Sequence, residues 1–120
     1  MQITNPDVLK DDYEQQGFVV VDELFEKGEV AEFQRVTNEL VEQSGSLRKS
    51  DPQFDLEPEH SEANPRVQRI KVPHKRSEVF GRAVRNPKLL RMLKILIGEN
   101  VRFRNSKLNI KAAHGGSAVD

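Results

Sequence analysis

Apolar residues recur along this chain with two different periods, and the periods predict its elements. Over residues 29–43, Val30, Phe33, Val36, Leu40 and Val41 form a stripe at helical spacing, with acidic residues filling the other face. An earlier helix is predicted over residues 6–16. Asn5 stands as its N-cap, Pro6 takes the first helical position, Asp7 lies in the first turn and Gly17 ends it. That helix carries Val8, Leu9 and Tyr13 near one face. Residues 77–84 predict a short helix, and Asn86-Pro87 opens another that stops at Gly98. Leu89, Leu90, Met92, Leu93, Leu96 and Ile97 make this last helix apolar nearly all round, so it is expected to be buried.

The remaining apolar positions follow the period of a strand. Phe18-Val19-Val20-Val21 is a β-branched run between Gly17 and Asp22 and reads as a buried strand. Residues 67–72 read as a second strand, with Gln68, Ile70 and Val72 on one face and Val67, Arg69 and Lys71 on the other. Residues 101–116 predict one long strand followed by a glycine loop. Alternation puts Val101, Phe103, Asn105, Lys107, Asn109 and Lys111 on one of its faces. That face passes from apolar to polar and basic as the chain advances. Either it is the solvated face of an edge strand, or it is the inner face of a cup that holds an anionic ligand.

Periodicity gives way to Gly, Ser, Asp, Pro and Glu over residues 44–65. A loop of about twenty residues is longer than compact domains usually carry without a role, so a lid or a disordered segment is expected there. The chain of 120 residues is at most one domain, and 36% apolar content with one Tyr and no Trp makes its core lean. No run approaches the ~18 apolar residues of a membrane span. The N-terminus lacks the layout of a signal peptide. Without cysteine there is neither a disulfide nor a thiolate metal site. A soluble, cytoplasmic protein is the expectation. The net charge of zero hides a polarised chain: residues 1–65 carry 5 Lys+Arg against 16 Asp+Glu, and residues 66–119 carry 14 against 2. Such polarity implies an anionic partner for the basic half or attraction between the two halves.

Few motifs carry chemistry. His60, His74 and His114 are the only imidazoles, and none stands two or four residues from another. Neither H-x-D nor H-E-x-x-H occurs, so there is no motif-level metal site. His114 with Asp120 would need a third donor. Gly115-Gly116 follows a predicted strand instead of opening a helix, and so reads as a turn. The basic half shows no nucleic-acid module, and no aromatic interleaving beyond Phe103 between Arg102 and Arg104. Arg82, Arg85, Lys88, Arg91 and Lys94 read as solvated helix faces whose stems cover apolar surface. What remains is Lys71 with the row Asn105, Lys107, Asn109 and Lys111. Ammonium groups supply charge and amides supply directional donors, a combination suited to a dicarboxylate.

Five stretches stand in a telling order. They are Tyr13-Glu14-Gln15-Gln16-Gly17-Phe18-Val19-Val20-Val21, the helix with the Val30 to Val41 stripe, Val67-Gln68-Arg69-Ile70-Lys71, the apolar helix after Asn86, and Ser106-Lys107-Leu108-Asn109-Ile110-Lys111. In that order the chain resembles, over nearly its whole length, the phytanoyl-CoA dioxygenase (PhyH-like) family of Fe(II)/2-oxoglutarate-dependent oxygenases. The resemblance implies an α+β fold, with N-terminal helices packed on the opening strands of a double-stranded β-helix (jelly-roll, cupin-like), incomplete in this chain. It implies Fe(II) and 2-oxoglutarate as cofactors of the complete, non-haem hydroxylase, acting on a small-molecule substrate.

By position, Lys71, and Asn105 or Asn109 with Lys107, would contact 2-oxoglutarate. The family's His-x-Asp iron motif would begin about where this sequence stops. Residues 1–120 are therefore expected to form the N-terminal portion of one oxygenase domain, to hold no cofactor tightly and to be inactive alone. Unpaired strand edges would favour self-association. The other reading is a non-catalytic binding module derived from the same fold.

Overall fold

The structure, a computed structural model, describes residues 5–111. Local signals set the helix boundaries. Helix α1 spans Pro6–Gln16, and the Asn5 side chain accepts a hydrogen bond from the Val8 N–H at 3.3 Å. The helix ends where Gly17 takes φ 81°, a left-handed turn that glycine makes without a Cβ clash. Helix α2 spans Lys27–Gln43, and the Glu29 carboxylate reaches back to the Glu26 N–H at 3.0 Å. A short 3-10 turn, Ser44–Ser46, follows. Helices α3 (Pro73–Arg76), α4 (Glu78–Val84) and α5 (Pro87–Ile97) form the second half, α4 capped by Ser77 and α5 by Asn86. Among the described residues no helix is long and apolar enough to cross a membrane.

Three short antiparallel strands complete an α+β arrangement: β1 (Phe54–Leu56), β2 (Val67–Lys71) and β3 (Lys107–Asn109), with β2 in the centre. Phe54 stands opposite Ile70 and Asp55 opposite Arg69, but Leu56 faces Val67, so Gln68 bulges out of the ladder. The bulge re-phases the strand. Strict alternation sends Val67 and Ile70 to opposite faces, whereas in the structure both are buried in one cluster. That core joins Val36 and Leu40 of α2 to Phe54, Val67 and Ile70, with Phe80 and Leu108 packed at its margin. Phe33 on α2 meets Phe25 edge-on at 5.1 Å and stacks on Phe80 of α4 at 5.4 Å, joining the helices.

Residues 44–65, expected as a loop, supply both the 3-10 turn and β1, and are tied back to β2. The Glu57 N–H donates to the Arg66 carbonyl at 2.9 Å, and Arg66 Nε donates to Glu57 Oε2 at 2.7 Å with the carboxylate buried. The Arg66 N–H donates to His60 Nδ1 at 2.9 Å. A backbone N–H only donates, so Nδ1 accepts and Nε2 carries the ring proton, which is given to the Ser44 carbonyl at 3.0 Å. Ser44 is fully buried; its carbonyl accepts this proton and its hydroxyl donates to the Val41 carbonyl.

Three further expectations are corrected. Residues 18–21 form no strand: Phe18 and Val20 are 59% and 73% exposed, because no neighbouring strand among the described residues takes up their backbone groups. The long strand expected from residue 101 is limited to Lys107–Asn109, since β2 offers only a short ladder. Helix α5 is not enclosed. One side packs on α1 and Met92 is buried, but Leu90 and Ile97 remain exposed beside an open cleft.

Two consequences can be measured by urea unfolding. Ile70→Ala, at a site with no exposed surface, is expected to cost about 3 kcal/mol, while Val20→Ala changes stability by less than about 0.5 kcal/mol. Arg66→Met strands a buried carboxylate and is expected to cost about 3 kcal/mol, a loss that adding Glu57→Gln partly reverses.

Candidate functional site

The sheet has two chemically opposite faces. Past the bulge, alternation along β2 sends Ile70 into the core and Arg69 and Lys71 to the other side. On β3, Asn109 stands opposite Arg69 and Lys107 opposite Lys71. The Val72 N–H donates to the Ser106 carbonyl and the Ile110 N–H to the Gln68 carbonyl. Both pairs therefore sit at the non-hydrogen-bonded positions, where cross-strand side chains come closest. Three cations and one amide share this patch.

Asp55 of β1 borders the same face. Its Oδ2 lies 3.2 Å from Arg69 Nη1 and its Oδ1 lies 2.9 Å from Lys71 Nζ. Arg69 Nε also donates to Asn109 Oδ1 at 3.1 Å, and Lys71 Nζ to the Asp51 carbonyl at 3.1 Å. Asp51 is itself fixed, its carboxylate accepting from the Gln53 and Phe54 N–H groups at 2.8 and 2.7 Å. Arg69, Asp55 and Lys71 are partly shielded, with side chains 16%, 24% and 36% exposed. The arrangement can bind a carboxylate with two cationic donors at once, and it does so with its own Asp55.

Of the residues singled out in the sequence, the fold brings Lys71, Lys107 and Asn109 together. It leaves Asn105 apart. Asn105 precedes β3, accepts the Ser106 N–H at 2.9 Å with its own Oδ1, and borders a different cavity. That cavity, of about 480 Å³, lies between α5 and residues 101–105 and is lined by Leu89, Leu93, Ile97, Val101 and Phe103 with Arg102 and Arg104. Lys111 lies beyond the strand and is exposed. Sequence reasoning missed Asp55 and made no use of Arg69. The alternation of Phe54-Asp55-Leu56 was the available signal for an extra strand, but three residues inside a polar stretch are too few to stand out.

The described histidines are structural. His60 is engaged as above, and His74 Nδ1 lies 2.6 Å from Ser106 Oγ, with its ring edge-on to Phe103 at 4.8 Å. This contact links α3 to the chain entering β3, just past Val72, whose φ of 47° is unusual for a β-branched residue. Among the described residues no group of three or more His, Cys, Asp or Glu could hold a metal ion, so these residues do not fit an iron site. His114, Gly115, Gly116 and Asp120 lie outside the described residues.

No family model matches the chain, and no solved structure matches it. Curated proteins do. An ectoine dioxygenase of Streptomyces coelicolor is 29% identical over 101 residues, covering 84% of this chain and 32% of that protein. A probable alpha-ketoglutarate-dependent hypophosphite dioxygenase of Stutzerimonas stutzeri is 24% identical over 104 residues, covering 87% of this chain and 36% of its own. An ectoine dioxygenase of Streptomyces anulatus is 29% identical over 105 residues, 88% of this chain and 33% of that protein. The chain thus spans about a third of the length of the curated relatives it matches. Over more than four fifths of its length the chain is similar to named dioxygenases, one of them alpha-ketoglutarate-dependent, in keeping with its resemblance to the PhyH-like Fe(II)/2-oxoglutarate oxygenases.

Proposed function

We propose that this chain is the N-terminal portion of a non-haem Fe(II)/2-oxoglutarate-dependent hydroxylase of the phytanoyl-CoA dioxygenase type. In this reading the three strands open a double-stranded β-helix, and the polar face of β2 and β3 holds 2-oxoglutarate. The observation that supports it is the pairing of Lys71 with Lys107 and of Arg69 with Asn109 at adjacent close-spaced positions, in a chain similar to dioxygenases. Lys71, Lys107 and Arg69 supply charge for a carboxylate, and Asn109 supplies a directional amide. In such an enzyme, bound iron would supply the activation of dioxygen needed to hydroxylate a C–H bond. Among the described residues no group of three or more His, Cys, Asp or Glu could hold it, and by themselves these residues are expected to be inactive.

A second reading is a non-catalytic binding module. Exposed Phe18, Val20, Ile97 and Phe103, with β1 and β3 at the edges of the sheet, favour it. Both strands are short, which limits edge pairing. The two readings part on ligand binding. Calorimetry on the full gene product is expected to show 2-oxoglutarate binding that weakens about tenfold in Lys71→Ala and by a smaller factor in Asn109→Ala. Unchanged affinity in both variants removes these residues from the site. Absence of binding by a folded full product favours the module.

A further inference from the structure

We infer that His60 is a pH-sensitive clasp. While its ring is neutral it straps residues 57–66 to the end of α2 and the start of β2, and the strap opens when the ring gains a second N–H proton. This stands whether or not the sheet binds 2-oxoglutarate.

The strap folds on itself through its own backbone. The Glu57 N–H donates to the Arg66 carbonyl at 2.9 Å and the His60 N–H to the Glu57 carbonyl at 3.0 Å. At the tip the Ser61 N–H donates to the Asn64 carbonyl at 3.3 Å, and the Asn64 N–H to Ser61 Oγ at 3.0 Å. The His60 ring then ties this fold to both of its neighbours. Its Nε2 reaches the Ser44 carbonyl, just past α2, and its Nδ1 accepts from the Arg66 N–H, one residue before β2.

A neutral imidazole has one donor and one acceptor, and the clasp uses both. An imidazolium has two donors and no acceptor. A proton on Nδ1 points at the Arg66 N–H, which itself can only donate, so an attraction becomes a repulsion. The partners cannot exchange roles, because one is a backbone N–H and the other a backbone carbonyl. His74 differs in this respect. Its Nδ1 faces the Ser106 hydroxyl, which both donates and accepts, so protonation leaves a hydrogen bond in place.

Neighbouring charges do not alter this. Two charged groups are enclosed with the strap, the Glu57 carboxylate and the Arg66 guanidinium, and they pair with each other at 2.7 Å. The first favours an imidazolium and the second opposes it. Glu59 and Glu62, in the same turn, are exposed and screened by solvent. From the end of α2 the ring meets the uncharged Ser44 carbonyl. None of these supplies an acceptor for the Arg66 N–H, so a ring that keeps its second proton must leave the clasp. Acidification therefore loosens residues 57–66, while the ladder between β2 and β3 takes no part.

The test is amide hydrogen exchange in the full gene product at about pH 7.5 and about pH 5.5, on either side of the ordinary imidazole range, corrected for intrinsic exchange. The Arg66 amide is the direct reporter. Its protection is expected to fall about tenfold at the lower pH, while that of the Ile110 amide, bonded to the Gln68 carbonyl, holds. His60→Gln cannot titrate, and its Arg66 protection is expected to be equal at the two pH values, whether high or low. Constant Arg66 protection in wild type overturns the clasp, and so does an unchanged pH response in His60→Gln.

A second measurement needs no variant. The ring nitrogen resonances of His60 are expected to show a bare Nδ1 at the higher pH, and a protonated Nδ1 appearing together with loss of Arg66 protection. A protonated Nδ1 beside an Arg66 amide that stays protected overturns the inference.

Discussion

The central strand β2 must serve two environments at once, and the fold is built on how it does so. Five residues carry two core side chains and two cations, a pattern that strict alternation cannot satisfy with Val67 and Ile70 three positions apart. The bulge at Gln68 resolves the conflict by one residue, after which Val67 and Ile70 share the core and Arg69 and Lys71 share the other face. Without it, either Val67 would lose its place against Phe54 and Leu40, or the two cations would turn toward the core. Packing and site therefore depend on the same irregularity.

Charge separation along the chain finds its counterpart in space. The acidic first half and the basic second half meet at Glu57–Arg66, Asp55–Arg69, Asp55–Lys71, Glu32–Arg82 and Glu26–Lys88. These pairs are not equivalent. Glu32–Arg82 and Glu26–Lys88 are long and solvated, at 3.8 and 3.7 Å, and such pairs contribute from nothing to about 1 kcal/mol. Glu57–Arg66 is short and enclosed, and one Glu57 oxygen is buried without a hydrogen-bond partner. Its role is to make residues 57–66 conditional on the salt bridge: the carboxylate is tolerated because the guanidinium and His60 close the turn around it.

On the sheet the same attraction takes a functional form. Lys71 and Lys107 face each other across β2 and β3, an arrangement that costs stability unless an anion lies nearby. Asp55 supplies one anion from β1. Arg69, Lys71 and Lys107 on adjacent strands give the face a preference for negative charge. That preference, together with sequence similarity to dioxygenases, gives the functional proposal its physical content.

Helices α1, α2, α4 and α5 were legible in the sequence because their limits are written locally, whereas the single turn of α3 was not predicted. Asn5, Gly17, Ser77, Asn86 and Gly98 act within a few residues of their own position, so caps and stops could be read without knowing the fold. The pair Lys107 and Asn109 was equally legible, because alternation along one strand is a local rule. What required tertiary structure was pairing. Phe18 to Val21 has the composition of a strand but finds no partner among the described residues, while Phe54-Asp55-Leu56, with a weaker signal, finds one in β2. Asn105 left the row because the ladder from β2 reaches only to the Ser106 carbonyl. The Asp55 contact joins residues far apart in the chain, and only the register of β1 against a bulged β2 decided that a carboxylate would meet Arg69 and Lys71 there.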